Sequence, residues 1–275
     1  MKLIKLLLLI LAVIGIARFC HHQTAGFKLS KIRENFYEKE KWVQPPLDAE
    51  TKAILQGKFT YFGRGLQSFA FLSPDQKYVL KIFNNRYQRK IFWLQFLPWC
   101  REKLQIQEQK LGKAFSSYKI AYQELKEQTG LIYAHLDPTE EFHQPLILVD
   151  KLGIEHPIDL DHTAFLVQKK VDLVYAKLSS WKQRGETHLA KRGISSLLHL
   201  LKDRFERGIS DHDPLIRTNF GFIGEEAFQI DVGAFAKQGT TPNPEKEFAR
   251  ILASLKDWVE HNYPELSEHL DEEMR

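Results

Sequence analysis

The chain is poor in the residues that mark specialised classes. It has two cysteines in 275 residues, Cys20 and Cys100, far apart and in no Cys-x-x-Cys spacing. A cysteine-built metal site is therefore excluded, and redox compartment cannot be read from so few thiols. Eleven histidines, His21-His22 and His156 with His162 among them, show no zinc-like spacing with those cysteines. Glycine (15) and proline (11) are too sparse for a collagen-like or disordered chain. No charge dominates either: 39 basic and 35 acidic side chains leave a formal +4, too balanced to indicate a nucleic-acid partner while leaving room for local anion-binding clusters. Internal repeats and low-complexity tracts are absent. What remains is a globular composition, 43% hydrophobic and 27% charged, long enough to bury the core of one large domain or two compact lobes.

A long apolar run is also missing, except at the N-terminus. Met1-Lys2-Leu3-Ile4-Lys5 leads into apolar residues from Leu6 to Ala17, closed by Arg18. That run falls short of the roughly 20 residues that cross a bilayer, so residues 1–22 read as a signal-peptide core or a short uncleaved anchor. The body is expected to be membrane-associated through this segment, or exported if the segment is cleaved. Basic residues flank both ends and leave the orientation open. Ala17-Arg18-Phe19 before Cys20 lacks the small residues of a lipoprotein site.

Residues 23–56 are polar, mixed in charge and broken by Pro45-Pro46, which reads as a linker with a short helix. Three β-rich stretches follow: Lys58 to Phe62, Phe69 to Leu72, and Tyr78 to Phe83 after a Ser73-Pro74-Asp75 turn. They predict successive antiparallel strands. Residues 84–128 predict two helices, the second over 113–128 and ended by Thr129-Gly130. Ile147 to Val149 and Ala164 to Val167 read as further strands. Residues 172–207 read as helices, with Leu197, Leu198, Leu201 and Phe205 on one face.

Four features carry chemistry. Gly63-Arg64-Gly65-Leu66-Gln67-Ser68 lies at a strand-to-strand turn, where glycines let backbone amides approach a phosphate, or where an ordinary bulged hairpin gives the same string. Lys81 sits in an apolar strand, where a charge is costly unless paired or snorkelling to water. Asp211, His212, Asp213 and Asn219 form an acidic loop that runs into a hairpin ending at Asp231-Val232-Gly233. That hairpin would bring the Asn219 amide oxygen near the Asp231 carboxylate, the oxygen ligation a hard cation such as Mg²⁺ takes.

In this order the features resemble the protein-kinase-like superfamily, with its glycine-rich loop, strand lysine, catalytic loop and Asp-Phe-Gly metal segment. The match spans about residues 57–236. The resemblance implies an α+β, two-lobe fold: a β-rich N-lobe over 57–170 with a helical insertion at 84–112, and a small, mainly helical C-lobe over 171–275, preceded by the N-terminal hydrophobic segment. It implies ATP and Mg²⁺ as cofactors. Gly63, Gly65 and Ser68 would cover the phosphates, Lys81 would contact them, and Asn219 and Asp231 would ligate metal. Asp213 would orient or deprotonate an acceptor hydroxyl, with Asp211 competing for that role. Glu124 would pair with Lys81, with Glu127 and Glu108 as runners-up, and Gln168 would mark the hinge where backbone meets adenine.

The departures are specific. Ser68 replaces the third glycine, Ser210-Asp211-His212-Asp213 replaces His-Arg-Asp, and the step from Asp213 to Asn219 is one residue longer than the usual catalytic-loop spacing. Only 44 residues follow Asp231, without an Ala-Pro-Glu segment. The expected activity is therefore phosphotransfer to a hydroxyl of a small molecule, sugar, lipid or protein by a reduced kinase. Two alternatives stand beside it: a pseudokinase scaffold that binds nucleotide or a partner without catalysis, and nucleotidyl transfer on the same fold. Within the insertion, residues 86–103 interleave basic and aromatic side chains, which fits either an amphipathic helix packed on the sheet or contact with an anionic membrane surface or a protein partner.

Overall fold

The computed structural model describes residues 2–33, 35–37, 39, 41–237 and 244–274. In chain order the elements are α1 (Lys2–Gln23), α2 (Ala49–Ile54), β1 (Lys58–Arg64), β2 (Ser68–Leu72), β3 (Tyr78–Phe83), α3 (Arg86–Leu94), α4 (Arg101–Glu124) and α5 (Lys126–Thr129). Next come β4 (Leu131–His135), β5 (Leu146–Val149), β6 (Glu155–Ile158), β7 (Phe165–Lys169), β8 (Asp172–Leu173), α6 (Val174–Gln183) and α7 (Thr187–Glu206). The chain ends with β9 (Ile209–Asp211), α8 (Ile216–Asn219), β10 (Phe220–Ile223), β11 (Glu226–Gln229), β12 (Phe235–Lys237), α9 (Pro244–Asn262) and α10 (Ser267–Glu273). They divide into two compact units, one of residues 1–108 and 135–167, the other of 109–134 and 168–275. The architecture is α+β, β-rich first and mainly helical second, behind an apolar N-terminal helix.

The first unit is built on a sheet in the order β7–β3–β2–β1–β5–β6. β1, β2 and β3 are antiparallel neighbours, as the β-rich stretches and the turn between them predict, and β1 runs parallel to β5. Phe59, Phe71, Leu80, Ile82 and Leu148 are fully buried, each β-branched or large enough to fill a pleated face. The turn before β3 is set by Ser73, whose hydroxyl donates to Asp75 and accepts from the Tyr78 amide, while Gln76 takes a left-handed φ of 59°. β6 lies outside the expected strands because Glu155-His156-Pro157-Ile158 carries little β-propensity. As an edge strand it pairs on one side, where a proline is tolerated.

Two findings alter the reading of the first 56 residues. The N-terminal helix does not stop at Arg18 but continues to Gln23, and Ile4–Gln23 is long and apolar enough to cross a membrane by length and composition. The polar stretch after it is also fixed in place. Asn35 is wholly buried: its amide nitrogen donates to the Phe83 and Ala164 carbonyls at 2.8 and 3.0 Å, and its oxygen accepts from the Ala164 amide at 2.7 Å. Phe27 and Ile32 are buried beside it in sequence, with Phe27 edge-on to Phe69 and Phe71. One asparagine thus completes backbone groups at the ends of β3 and β7.

The second unit packs α6, α7, α9 and α10 around one apolar cluster in which Leu178, Ile194, Leu197, Leu201, Leu255 and Leu266 are fully buried. α7 presents the expected face. The 44 residues after Asp231 add two helices to that core rather than a loose tail, through Ile251, Leu252, Leu255, Val259 and Leu270. β10 packs close to the chain at Val171 and Asp172. A Cβ on Gly221 would meet Val171 at 2.4 Å and the Asp172 carbonyl at 2.6 Å, so only glycine fits there.

Replacing Asn35 by Ala would remove three buried hydrogen bonds and take from the Ala164 N–H its acceptor, while the Ala164 carbonyl keeps the Phe83 N–H; a buried group left unsatisfied costs about 1–3 kcal/mol. Asn35→Ala is expected to lower unfolding free energy by roughly 1–3 kcal/mol, measured by urea denaturation. A loss within experimental error would show that the strap contributes nothing to the first unit.

Candidate functional site

In the first unit the glycine string forms the β1–β2 hairpin, tighter than a free phosphate loop. Gly63 lies within β1, paired with Ala70 across a bulge between Tyr61 and Gly63, and the Gly65 amide donates to the Ser68 carbonyl at 2.9 Å. Neither glycine has positive φ among the described residues. A Cβ on Gly63 would meet nothing within 4 Å, and one on Gly65 only Ser68 at 3.8 Å. The chain's own packing therefore does not require glycine at either place. Lys81 is half-buried on β3, opposite Ala70 and between the fully buried Leu80 and Ile82. A cavity of about 520 Å³ in this unit, lined in part by Arg33, Phe36, Asp159 and His162, includes none of these residues.

The acidic residues fall in the second unit, which places them by three ties. β10 and β11 form the expected hairpin, with Phe220 opposite Gln229, and the Ile230 amide donates to the Asn219 carbonyl at 2.7 Å. Asn219 and Asp231 therefore flank the open end of one hairpin. β9 pairs with β12, and the His212 amide donates to the Ala234 carbonyl, so residues 209–212 run beside residues 234–237. The Asn219 amide nitrogen in turn donates to the Asp213 carbonyl at 2.5 Å, and its oxygen accepts from the Thr218 hydroxyl at 2.8 Å. Because a carbonyl can only accept, the bond to Asp213 fixes which end of the Asn219 amide is nitrogen and which is oxygen. Asn219 is buried, while Asp213 and Asp231 are exposed.

Asp211 is held differently. It is buried within reach of Arg204, itself 1% exposed, at 3.6 Å, and its carboxylate accepts from the Gln229 amide and from the Asp213 backbone N–H at 2.9 Å. Arg204 also donates to the Gln229 oxygen at 2.7 Å. The three side chains form a buried network, and Asp213 hangs from it by its backbone.

Sequence reasoning did not find Arg204, Gln229 or Ser117. Ser117, fully buried on α4, donates to the Val232 carbonyl and accepts from the Phe235 amide, both at 2.6 Å, and so pins the Asp231-Val232-Gly233 segment from both sides. The signals were there: Ser117 interrupts the apolar row of Ala114, Phe115, Tyr118 and Ala121, and Arg204 lies seven residues after Leu197 on the core face of α7. Of the remaining expected residues, Glu124 is ion-paired to Lys237 at 2.7 Å. The Gln168 side chain is buried and donates to the Thr129 carbonyl at 2.6 Å.

The donor set suits a hard cation that arrives with its ligand. Asn219 and Asp231 offer oxygen atoms, and among the described residues no group of three or more His, Cys, Asp or Glu side chains is placed to hold a metal alone. Mg²⁺ characteristically takes one or two protein carboxylates and completes its shell with phosphates and water.

No protein family matches the chain, and no curated protein matches it. Solved structures match at low identity. A co-crystal structure of WbdD with the kinase inhibitor LY294002 is 17% identical with a TM-score of 0.38, over 78% of this chain and 45% of that one. A structure of the bifunctional kinase-methyltransferase WbdD is 19% identical with a TM-score of 0.35, over 77% and 44%. The Rv3197–erythromycin complex from Mycobacterium tuberculosis is 13% identical with a TM-score of 0.34, over 83% and 61%. The chain thus spans under half the length of WbdD, and similarity this low carries no statement about what it binds or catalyses.

The buried network and the exposed carboxylate predict opposite responses to truncation. Asp211→Ala strands the Arg204 charge, and breaking a buried pair costs about 3–5 kcal/mol. It is expected to lower the melting temperature sharply, whereas Asp213→Ala should leave stability within about 0.5 kcal/mol of wild type. Thermal melts followed by circular dichroism check both, and equal melts would mean that Asp211 does not anchor the loop.

Proposed function

We propose that the chain is a reduced, kinase-like phosphotransferase that uses ATP with Mg²⁺ and acts on a hydroxyl of a small molecule, sugar, lipid or protein. One observation carries the reading: the Asn219 side chain is fixed to the Asp213 carbonyl and its own carbonyl to the Ile230 amide, so an oriented amide lies in one hydrogen-bonded stretch with the exposed Asp213 and with the exposed Asp231 that follows Ile230. In this reading Asn219 and Asp231 hold the metal, and Asp213 orients or deprotonates the acceptor hydroxyl. Asp213 takes that role over Asp211 because the Asp211 carboxylate is buried and already shared by Arg204, Gln229 and a backbone amide. Lys81 contacts the phosphates, with Gly63, Gly65 and Ser68 covering them, and backbone groups at Gln168 meet adenine. The metal's chemistry, when bound, is to neutralise phosphate charge; the chain contributes position and electrostatics. The open space around Gly63 also suits the reading, since a glycine the fold does not need is free to admit a ligand.

A scaffold without catalysis is favoured by one observation, the Gly65 amide already spent on Ser68 within the turn. Melting experiments separate the two readings. ATP with Mg²⁺ should raise the melting temperature of the wild type, because a ligand stabilises the state it binds. Asp231→Ala should abolish that gain. Asp213→Ala should keep it while turnover to ADP falls by roughly 100-fold or more. Gly63→Ala should melt like the wild type without ligand and gain less with it. Absence of any shift with any nucleotide and metal would remove the catalytic reading in favour of the scaffold, and release of pyrophosphate instead of ADP would indicate nucleotidyl transfer.

A further inference from the structure

We propose that the α3 segment of the first unit is a membrane-contact surface that lies on an anionic bilayer beside the N-terminal helix. Four large aromatic side chains stand in solvent in close succession: Phe92 is 53% exposed, Trp93 67%, Phe96 63% and Trp99 80%. α3 has no buried residue at all. Phe92 packs edge-on against Trp93 and Phe96, each at 5.4 Å, so these rings form a cluster of their own on the surface. A helix on a sheet would bury such a face, and contiguous exposed aromatic surface marks an interaction site.

The occupant is identified by charge and by what the segment is tied to. Residues 84–103 carry five basic side chains against the single acidic Glu102, and Arg89 and Lys90 are exposed beside the rings. Tryptophan and phenylalanine flanked by basic residues match the interface of a bilayer with anionic headgroups, where rings settle at the boundary and each nearby cation adds attraction. The start of α3 is also knotted to the chain that leaves α1. The Asn85 amide nitrogen donates to the Ser30 and Arg33 carbonyls at 2.9 and 2.8 Å, and the Asn85 backbone N–H donates to the Lys31 carbonyl at 2.7 Å. Gln88 reaches the Asn35 and Phe36 carbonyls, and the Lys31 ammonium bonds the Gly26 carbonyl. The chain from Gln23 to Ser30 spans at most about 25 Å when extended. With α1 in a bilayer, the aromatic strip is thus held within a short reach of the same surface, which removes most of the cost of bringing it there.

The test uses the full chain reconstituted into vesicles whose acyl chains are brominated near the interface, with and without phosphatidylglycerol. α1 has no tryptophan, so lipid quenching of tryptophan emission reports on the body of the protein. Two of the five tryptophans lie in the strip, so anionic vesicles should remove up to about two fifths of the emission. Trp93→Phe/Trp99→Phe should abolish the quenching, and Arg89→Glu/Lys90→Glu should reduce it to the level seen in neutral vesicles; none of these side chains is buried. Unquenched wild type, or quenching that survives in the tryptophan variant, overturns the proposal. Protection of Trp93 and Trp99 from aqueous iodide without lipid quenching would show that a protein or a second copy covers the strip, and overturns it as well. None of these readouts involves nucleotide, so the outcome is independent of the phosphotransfer reading.

Discussion

A buried ion pair organises the second unit. Removing the Arg204 guanidinium and the Asp211 carboxylate from water costs several kcal/mol for each ion, which their attraction and added hydrogen bonds must offset. Gln229 bridges the two, donating to Asp211 and accepting from Arg204. The loop proposed to hold metal and acceptor hangs from that network: Asp211 holds the Asp213 amide, Asp213 holds the Asn219 side chain, and Asn219 holds Ile230, the residue before Asp231. Ser117 pins the far side of that segment. A chain of single hydrogen bonds is precise only if its root cannot move, and a buried charge pair flanked by the apolar face of α7 is such a root.

The two units spend their polar groups differently. The second hides charge to fix a loop and leaves two carboxylates, Asp213 and Asp231, in water. The first hides an amide, Asn35, to fasten the strap that follows α1, and leaves aromatic rings in water along α3. Exposed carboxylates are inexpensive and suit a site that recruits a cation, whereas exposed aromatic clusters are costly for a free monomer and mark a surface that another phase or molecule covers.

Much of the fold was legible from local pattern. β-rich composition broken by turn residues marked β1 to β3, and Gly130, with φ of 64°, ended the helical stretch where the Thr129-Gly130 pair predicted. Helical spacing gave the face of α7. The hairpin between Asn219 and Asp231 was equally visible, since two short β-rich stretches around Gly224 leave the chain little choice. Harder to see were elements whose stability is not local. β4, β6, β9 and β12 are short and weakly patterned, and each becomes a strand only because a neighbour supplies its hydrogen bonds. α4 begins at Arg101, well before the expected start near Lys113, because its first turns carry polar residues that give no amphipathic signal.

By itself the sequence determined the order of elements, the apolar helix at the start and the residue types offered for chemistry, because these follow from propensity, periodicity and the affinity of oxygen donors for hard cations. Tertiary structure alone decided which aspartate is spent and which is available. Asp211 and Asp213 are two residues apart and chemically identical; what separates them is a guanidinium on a helix that ends before either. It also decided that the polar stretch after α1 is fastened and that the α3 rings are not buried. Both outcomes depend on burial, which is a property of what the rest of the chain places nearby and not of the residues themselves.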